Sequence, residues 1–155
     1  MSFDIDVVTF KEDLELLAKR VSDIRPLLGD IIDERQKIAG KEFRQAAFFA
    51  PSGGKRKWRG LATSTLERSG PREASTPLRR SGHLRLSWEG KTRDSIREIK
   101  RLAATFGVRV PYAPFHITGT STIPARPHGQ DNPEAQKSDQ KLLEKHLLNG
   151  IEFEN

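Results

Sequence analysis

The chain has 155 residues, 35% hydrophobic and 31% charged, enough for one ordinary domain with a modest core. It contains no cysteine, which excludes a disulfide framework, a thiolate zinc site and a cysteine nucleophile. Net charge is +6, no apolar run approaches the roughly 20 residues of a membrane span, and the opening residues are acidic where a secretory leader is basic, so the expectation is a soluble protein made in a cytoplasm, with no membrane partner.

Phe3, Ile5 and Val7 alternate with Asp4 and Asp6, which predicts a short half-buried strand. The period then lengthens. Leu14, Leu17, Val21 and Ile24 recur at helical spacing. Pro26 suits the first turn of a new helix, with Ser22 or Asp23 as its cap. Leu28, Ile31, Ile32, Ile38, Ala39, Phe43 and Ala46 extend that helix to about Phe48, with Gly40 weakening it by roughly 1 kcal/mol relative to Ala. Residues 51–54, Pro-Ser-Gly-Gly, end it. Residues 55–80 are rich in Arg, Ser, Thr, Gly and Pro without a sustained period, and read as a long loop or arm with short turns.

A short helix is expected over about residues 81–88, and residues 94–102 fit a helix or an irregular strand. Residues 105–110 read as a strand, and residues 111–116, with Pro111 and Pro114, as an extended path. Residues 119–129 are turn-rich. Pro133 opens a last helix, to about residue 149, with Asp131 or Asn132 as cap and Gly150 as stop. The fold class that follows is α+β in a single domain over residues 1–155. N-terminal helices and a C-terminal helix pack on a small antiparallel sheet, with a long basic loop at about residues 51–80.

Charge is unevenly placed. Residues 52–101 hold 14 Lys/Arg against 5 Asp/Glu, a net of +9. Residues 1–51 net −2 and residues 131–155 net −3. A basic middle between acidic ends fits nucleic acid, the acidic part of a neighbouring copy, or a solvated loop with no partner. Lys55, Arg56, Lys57 and Arg59 flank Trp58, and Arg79, Arg80 and Arg85 lie near Trp88. Basic residues beside aromatics can hold a backbone and stack bases, whereas Trp58 and Trp88 as core anchors is the plainer reading.

No catalytic constellation emerges. The four histidines, His83, His116, His128 and His146, share no metal-ligand spacing. Residues 52–55, Ser-Gly-Gly-Lys, look like a phosphate cradle, but they follow a predicted helix, whose C-terminal end is the negative one. No nucleophile elbow or dinucleotide-binding glycine pattern is present. Neither an enzyme nor a cofactor is expected.

Three segments together resemble one family. They are residues 51–65, PSGGKRKWRGLATST; residues 78–87, LRRSGHLRLS; and residues 111–119, PYAPFHITG, continuing to residues 123–127, IPARP. In this order they are similar to the phage virion morphogenesis family, which contains the tail-completion proteins of Mu-like phages and related neck proteins. The family pattern is a P-x-G…W-x-x-L loop, an L-x-x-[ST]-G-x-L-x-x-S turn, and Y-A-x-x-H-x-x-G…P-A-R-P before a C-terminal helix. Here the first loop is longer and more basic than the pattern, and His128 and Gly129 stand where it often carries an aromatic or aliphatic pair.

The resemblance implies a non-enzymatic structural protein of the virion tail or neck. It would be a tail-completion, tail-terminator or head–tail joining subunit, assembled in the host cytoplasm. Related proteins form rings, commonly of six, against tail tube or sheath and head–tail connector proteins. In that setting Gly82 and Gly119 suit unusual backbone angles or close approach. Pro124 and Pro127 stiffen an arm around Arg126, whose fork suits a carboxylate. The expected protein-interface residues are Trp58, Arg79, Arg80, Tyr112, His116 and Arg126. Lys55, Arg56 and Lys57 are expected at a DNA channel, with low-affinity contact to packaged DNA; a basic nucleic-acid-binding module is the alternative function.

Overall fold

The structure is a computed structural model that describes residues 7–50, 53–68, 77–78 and 81–149. Two long helices come first, α1 (Val7–Ser22) and α2 (Arg25–Gln45). Strands β1 (Ala47–Phe49) and β2 (Lys55–Lys57) form an antiparallel hairpin, with Ala47 opposite Lys57 and Phe49 opposite Lys55. Short helices α3 (Thr63–Arg68) and α4 (His83–Trp88) follow. Strands β3 (Ser95–Ile99) and β4 (Ala104–Val108) make a second antiparallel pair. Helices α5 (Ala113–Thr118) and α6 (Pro133–Leu148) complete the α+β architecture.

Helix α2 is the spine. Leu27, Ile32, Ile38, Ala39 and Phe43 are buried along it, Phe43 completely. Its C-terminal part meets Trp58, Leu84, Trp88, Val110 and Ala113 in the main core, with Phe48, Leu78, Phe106 and Val108 packed at the edge. Trp58 stands edge-on to Phe43 at a centroid distance of 5.4 Å, and Trp88 edge-on to Phe106 at 6.3 Å, the geometry that ring quadrupoles favour. The two tryptophans are core anchors, as the plainer sequence reading has it. Trp58 is 6% exposed, so it serves the protomer's interior and not the intersubunit surface expected of it.

Helix α6 lies along α2 and α1 against α6. Ala135, fully buried, allows the close approach. The guanidinium of Arg35 on α2 reaches Asp139 at 2.6 Å and Asp131 at 2.7 Å. Burial disfavours the Arg35 cation, but its bonds to both carboxylates outweigh that and raise its pKa. Asn132 caps α6, its Oδ1 accepting from Ala135 N at 2.9 Å, and Pro133 takes the first turn, where a missing N–H costs nothing.

Several boundaries differ from the sequence reading. Val7 begins α1, and the rest of the expected first strand lies outside the described residues. Helix α2 stops at Gln45 because Ala46 turns left-handed at φ 47° and bonds back to Glu42 O; residues 47–49 then leave as a strand. Its cap position is Ile24, and the Asp23 carboxylate accepts from Arg25 N at 3.1 Å. The expected long loop contains β2 and α3, while residues 69–76, 79 and 80 lie outside the described part. Residues 94–102 resolve to a strand. Residues 113–118 are a helix and not an extended path, because Pro114 falls in the first turn, with Tyr112 at the cap position. Gly40 faces the Glu89 side chain, where a Cβ would sit 2.8 Å from Oε1, so its helix penalty accompanies a close α2–α4 contact.

The Arg35 bridge ties two elements distant in sequence, and its side chain is 15% exposed. Replacing Arg35 with Met is expected to lower unfolding free energy by about 1–2 kcal/mol. Urea denaturation at low and high salt checks this, with the loss shrinking as salt screens the pair.

Candidate interaction site

The three segments that carry the family resemblance are far apart in sequence but meet around Phe43. Trp58 comes from the end of the first hairpin, Leu84 and Trp88 from α4, Ala113 from the start of the third segment and Val110 from just before it. A strap over residues 119–129 fastens them.

The strap begins at Gly119, with φ +77°, where a Cβ would lie 2.8 Å from Ala125 N and 2.9 Å from Ile123 O. Thr120 N donates to Ile123 O at 2.8 Å, closing the turn, and Arg126 N donates to His116 O at 2.7 Å, tying the strap to α5. Arg126 is 5% exposed. Its Nε donates to Arg59 O at 3.1 Å and its Nη2 to Gly60 O at 2.9 Å. The fork expected to meet a partner's carboxylate therefore closes on two carbonyls of its own chain. Burial and the neighbouring Arg59 charge both push the Arg126 pKa down, which fits a cation held by peptide dipoles alone. In return, Trp58 Nε1 donates to Pro127 O at 2.8 Å.

The strap ends in an aromatic cage. His128, 1% exposed, lies 5.0 Å from Phe43, 6.3 Å from Trp58 and 5.8 Å from Trp88, between ring centroids. Its Nδ1 bonds Arg126 O at 2.8 Å, which fixes the proton on that nitrogen, and Nε2 has no hydrogen-bond partner among the described residues. Gly129, with φ +62°, has the Trp88 ring 2.5 Å from where a Cβ would sit, and its N–H donates to Glu42 Oε2 at 2.8 Å. His128 is thus the side chain that fits between the tryptophans, and Gly129 the residue that lets the chain pass the Trp88 ring.

What remains outside is distinct. Tyr112, at the cap of α5, and Phe115 on it are 40% and 55% exposed, and Tyr112 meets half-buried His116 edge-on at 5.9 Å. An open cleft of about 560 Å³ runs between residues 59–63 and residues 120–124. Lys55, Arg56 and Lys57 are exposed along β2, with no ion pair among the described residues. Arg79 and Arg80 lie outside the described residues. Phe115 was passed over in the sequence because it sits between a proline and a histidine with no periodic neighbour. Burial of Trp58 removes the aromatic that base stacking beside Lys57 would need.

Other polar groups serve local structure. His83 Nε2 pairs with Asp94 at 2.8 Å, and Ser87, Thr92 and Ser95 bond to one another's backbone and hydroxyls around that turn. Burial pushes the Glu89 carboxyl up, but bonds from Lys91 and Arg85 outweigh it and leave it below the ordinary range. Among the described residues no group of three or more His, Cys, Asp or Glu is placed to hold a metal ion, and no helix is long and apolar enough to cross a membrane. The sequence matches no family model and no curated protein, and the fold matches no solved structure.

The cage makes acid the natural stress. Burial lowers the His128 pKa from 6.5 to about 4, partly offset by the bond to Arg126 O and deepened by His116. His116 is also lowered, by burial first and then by the Arg126 charge. Between pH 6.5 and 4 the unfolded chain takes up a proton that the folded chain refuses, so stability falls as pH falls through that window. The His128 share has a ceiling of about 3 kcal/mol. Urea midpoints at pH 7 and 4.5 should show this loss, and His128→Gln, though less stable throughout, should show a flatter dependence.

Proposed function

We propose that the chain is a non-enzymatic structural subunit of a tailed-phage virion, forming a ring that completes the tail or joins it to the head. The reading is supported by the three ordered segments that resemble the virion morphogenesis family. The observation that carries it furthest is how those segments divide. Their buried residues pack on one another, and their outer residues leave two exposed aromatics, Tyr112 and Phe115, shortly before the strap, whose residues 120–124 line an open cleft. Exposed large aromatics on a stiff support are suited to association, because little conformational freedom is lost on docking. The proposed partners are further copies of the chain, six by the resemblance, then tail tube or sheath and connector proteins of the particle neck. The proposed location is the virion, after assembly in the host cytoplasm.

A second reading, a basic nucleic-acid-binding module, is favoured by one specific observation: the hairpin cations Lys55, Arg56 and Lys57 are exposed, with no acidic partner among the described residues.

Light scattering on the purified protein separates these readings. The ring reading expects a closed oligomer. The double substitution Tyr112→Asp and Phe115→Asp should shift it to monomers with little change in unfolding midpoint, since both residues are exposed. A wild-type protein that stays monomeric at all concentrations and is missing from particles would refute it.

A further inference from the structure

Gly53 and Gly54 at the turn of the first hairpin also line an open groove of about 450 Å³ against α2 and α6. In the sequence this glycine pair is expected to follow a helix. In the structure it follows a strand and faces Lys137 and Lys141 of α6 and Lys41 of α2 across the groove. Two acids, Glu34 and Glu134, also line it, but Lys37 lies 3.3 Å from the first and Lys41 3.8 Å from the second. The remaining cations, Lys137 and Lys141, are exposed and have no ion pair among the described residues. Spaced one helical turn apart, they stand on the same face of α6. Lys55, Arg56 and Lys57 continue directly from Gly54.

We propose that the hairpin cations and the groove at its tip form one continuous track for the phosphate backbone of a double-stranded nucleic acid, with Lys137 and Lys141 as its far contacts. The inference rests on the exposed-hairpin reading above and not on ring formation. Five exposed cations with no ion pair among the described residues, three on the hairpin and two across the groove from its tip, favour a polyanion over a protein surface, on which acids alternate with other groups. The groove-lining residues include no aromatic ring, and Trp58 at the end of the hairpin is buried. Bases therefore have no platform here, and the contacts are to phosphates, blind to sequence. Duplex is favoured over single strands on the same ground.

Fluorescence anisotropy with a duplex of mixed sequence, a single strand of equal length and poly-glutamate, each over a salt series, tests this on the full chain. Duplex should bind best, with a steep salt slope. Lys137→Gln with Lys141→Gln should reduce that slope by about two and weaken binding roughly tenfold near 0.1 M salt. Neutralising Lys55, Arg56 and Lys57 together should reduce it further. Absence of duplex binding, equal binding of poly-glutamate, tighter binding of the single strand, or an unchanged slope in the α6 variant would each overturn the proposal. Light scattering on the same variants keeps the two readings apart, since a ring that persists while duplex binding is lost leaves the ring reading intact and supports the track.

Discussion

A buried guanidinium that meets no carboxylate among the described residues must be satisfied by the backbone it faces. In this protein that requirement joins the two halves of the core. Arg126 points inward between Pro124 and Pro127 and donates to the carbonyls of Arg59 and Gly60, while Trp58, one residue upstream, donates back to Pro127 O. The exchange links a loop that leaves the first hairpin to a strap some 66 residues later. Each partner is aimed by the other. Carbonyls that accept from a cation in a low-dielectric interior give stronger bonds than neutral pairs and leave larger penalties if one side is removed.

The rest of the core follows from that clasp. With the strap fixed, His128 enters the space between Phe43, Trp58 and Trp88, and Gly129 passes the Trp88 ring at a distance no side chain tolerates. The price is a buried imidazole that must stay neutral, which makes acid the condition that tests this region hardest. The three sequence segments therefore act first on the protomer itself. Their buried residues make one frame, and its exterior carries Tyr112, Phe115, the open cleft and, on the hairpin, three exposed cations.

Helices α1, α2 and α6 were legible in the sequence because apolar spacing, prolines in first turns and a cap at Asn132 all agree. The end of α2 was not. Residues 46–49, Ala-Ala-Phe-Phe, are apolar throughout and give no period to separate a last helical turn from a three-residue strand. Helix α5 is hidden in the sequence because Pro114 reads as a signal of extension, although the rule that places Pro26 and Pro133 in first turns applies to it equally. Trp58 as a core anchor was legible from its size alone. Arg126 was not, since a charged residue between two prolines ordinarily reads as a surface arm, and only tertiary structure reveals the carbonyls waiting for it. Lys137 and Lys141 carry no distinguishing signal in the sequence, and the turn that lies across from them is visible only in three dimensions.

The most direct test of the Trp58–Arg126 clasp is a double-mutant cycle by urea unfolding at one fixed protein concentration, using Trp58→Phe, Arg126→Met and their combination. Both substitutions keep an apolar body in place while removing the donors. If the two bonds hold the same loop against the same strap, the combined loss will fall short of the sum of the single losses by about 1 kcal/mol or more. Losses that add to within about 0.3 kcal/mol would mean that the two contacts act independently, and the central role given to the clasp would be wrong.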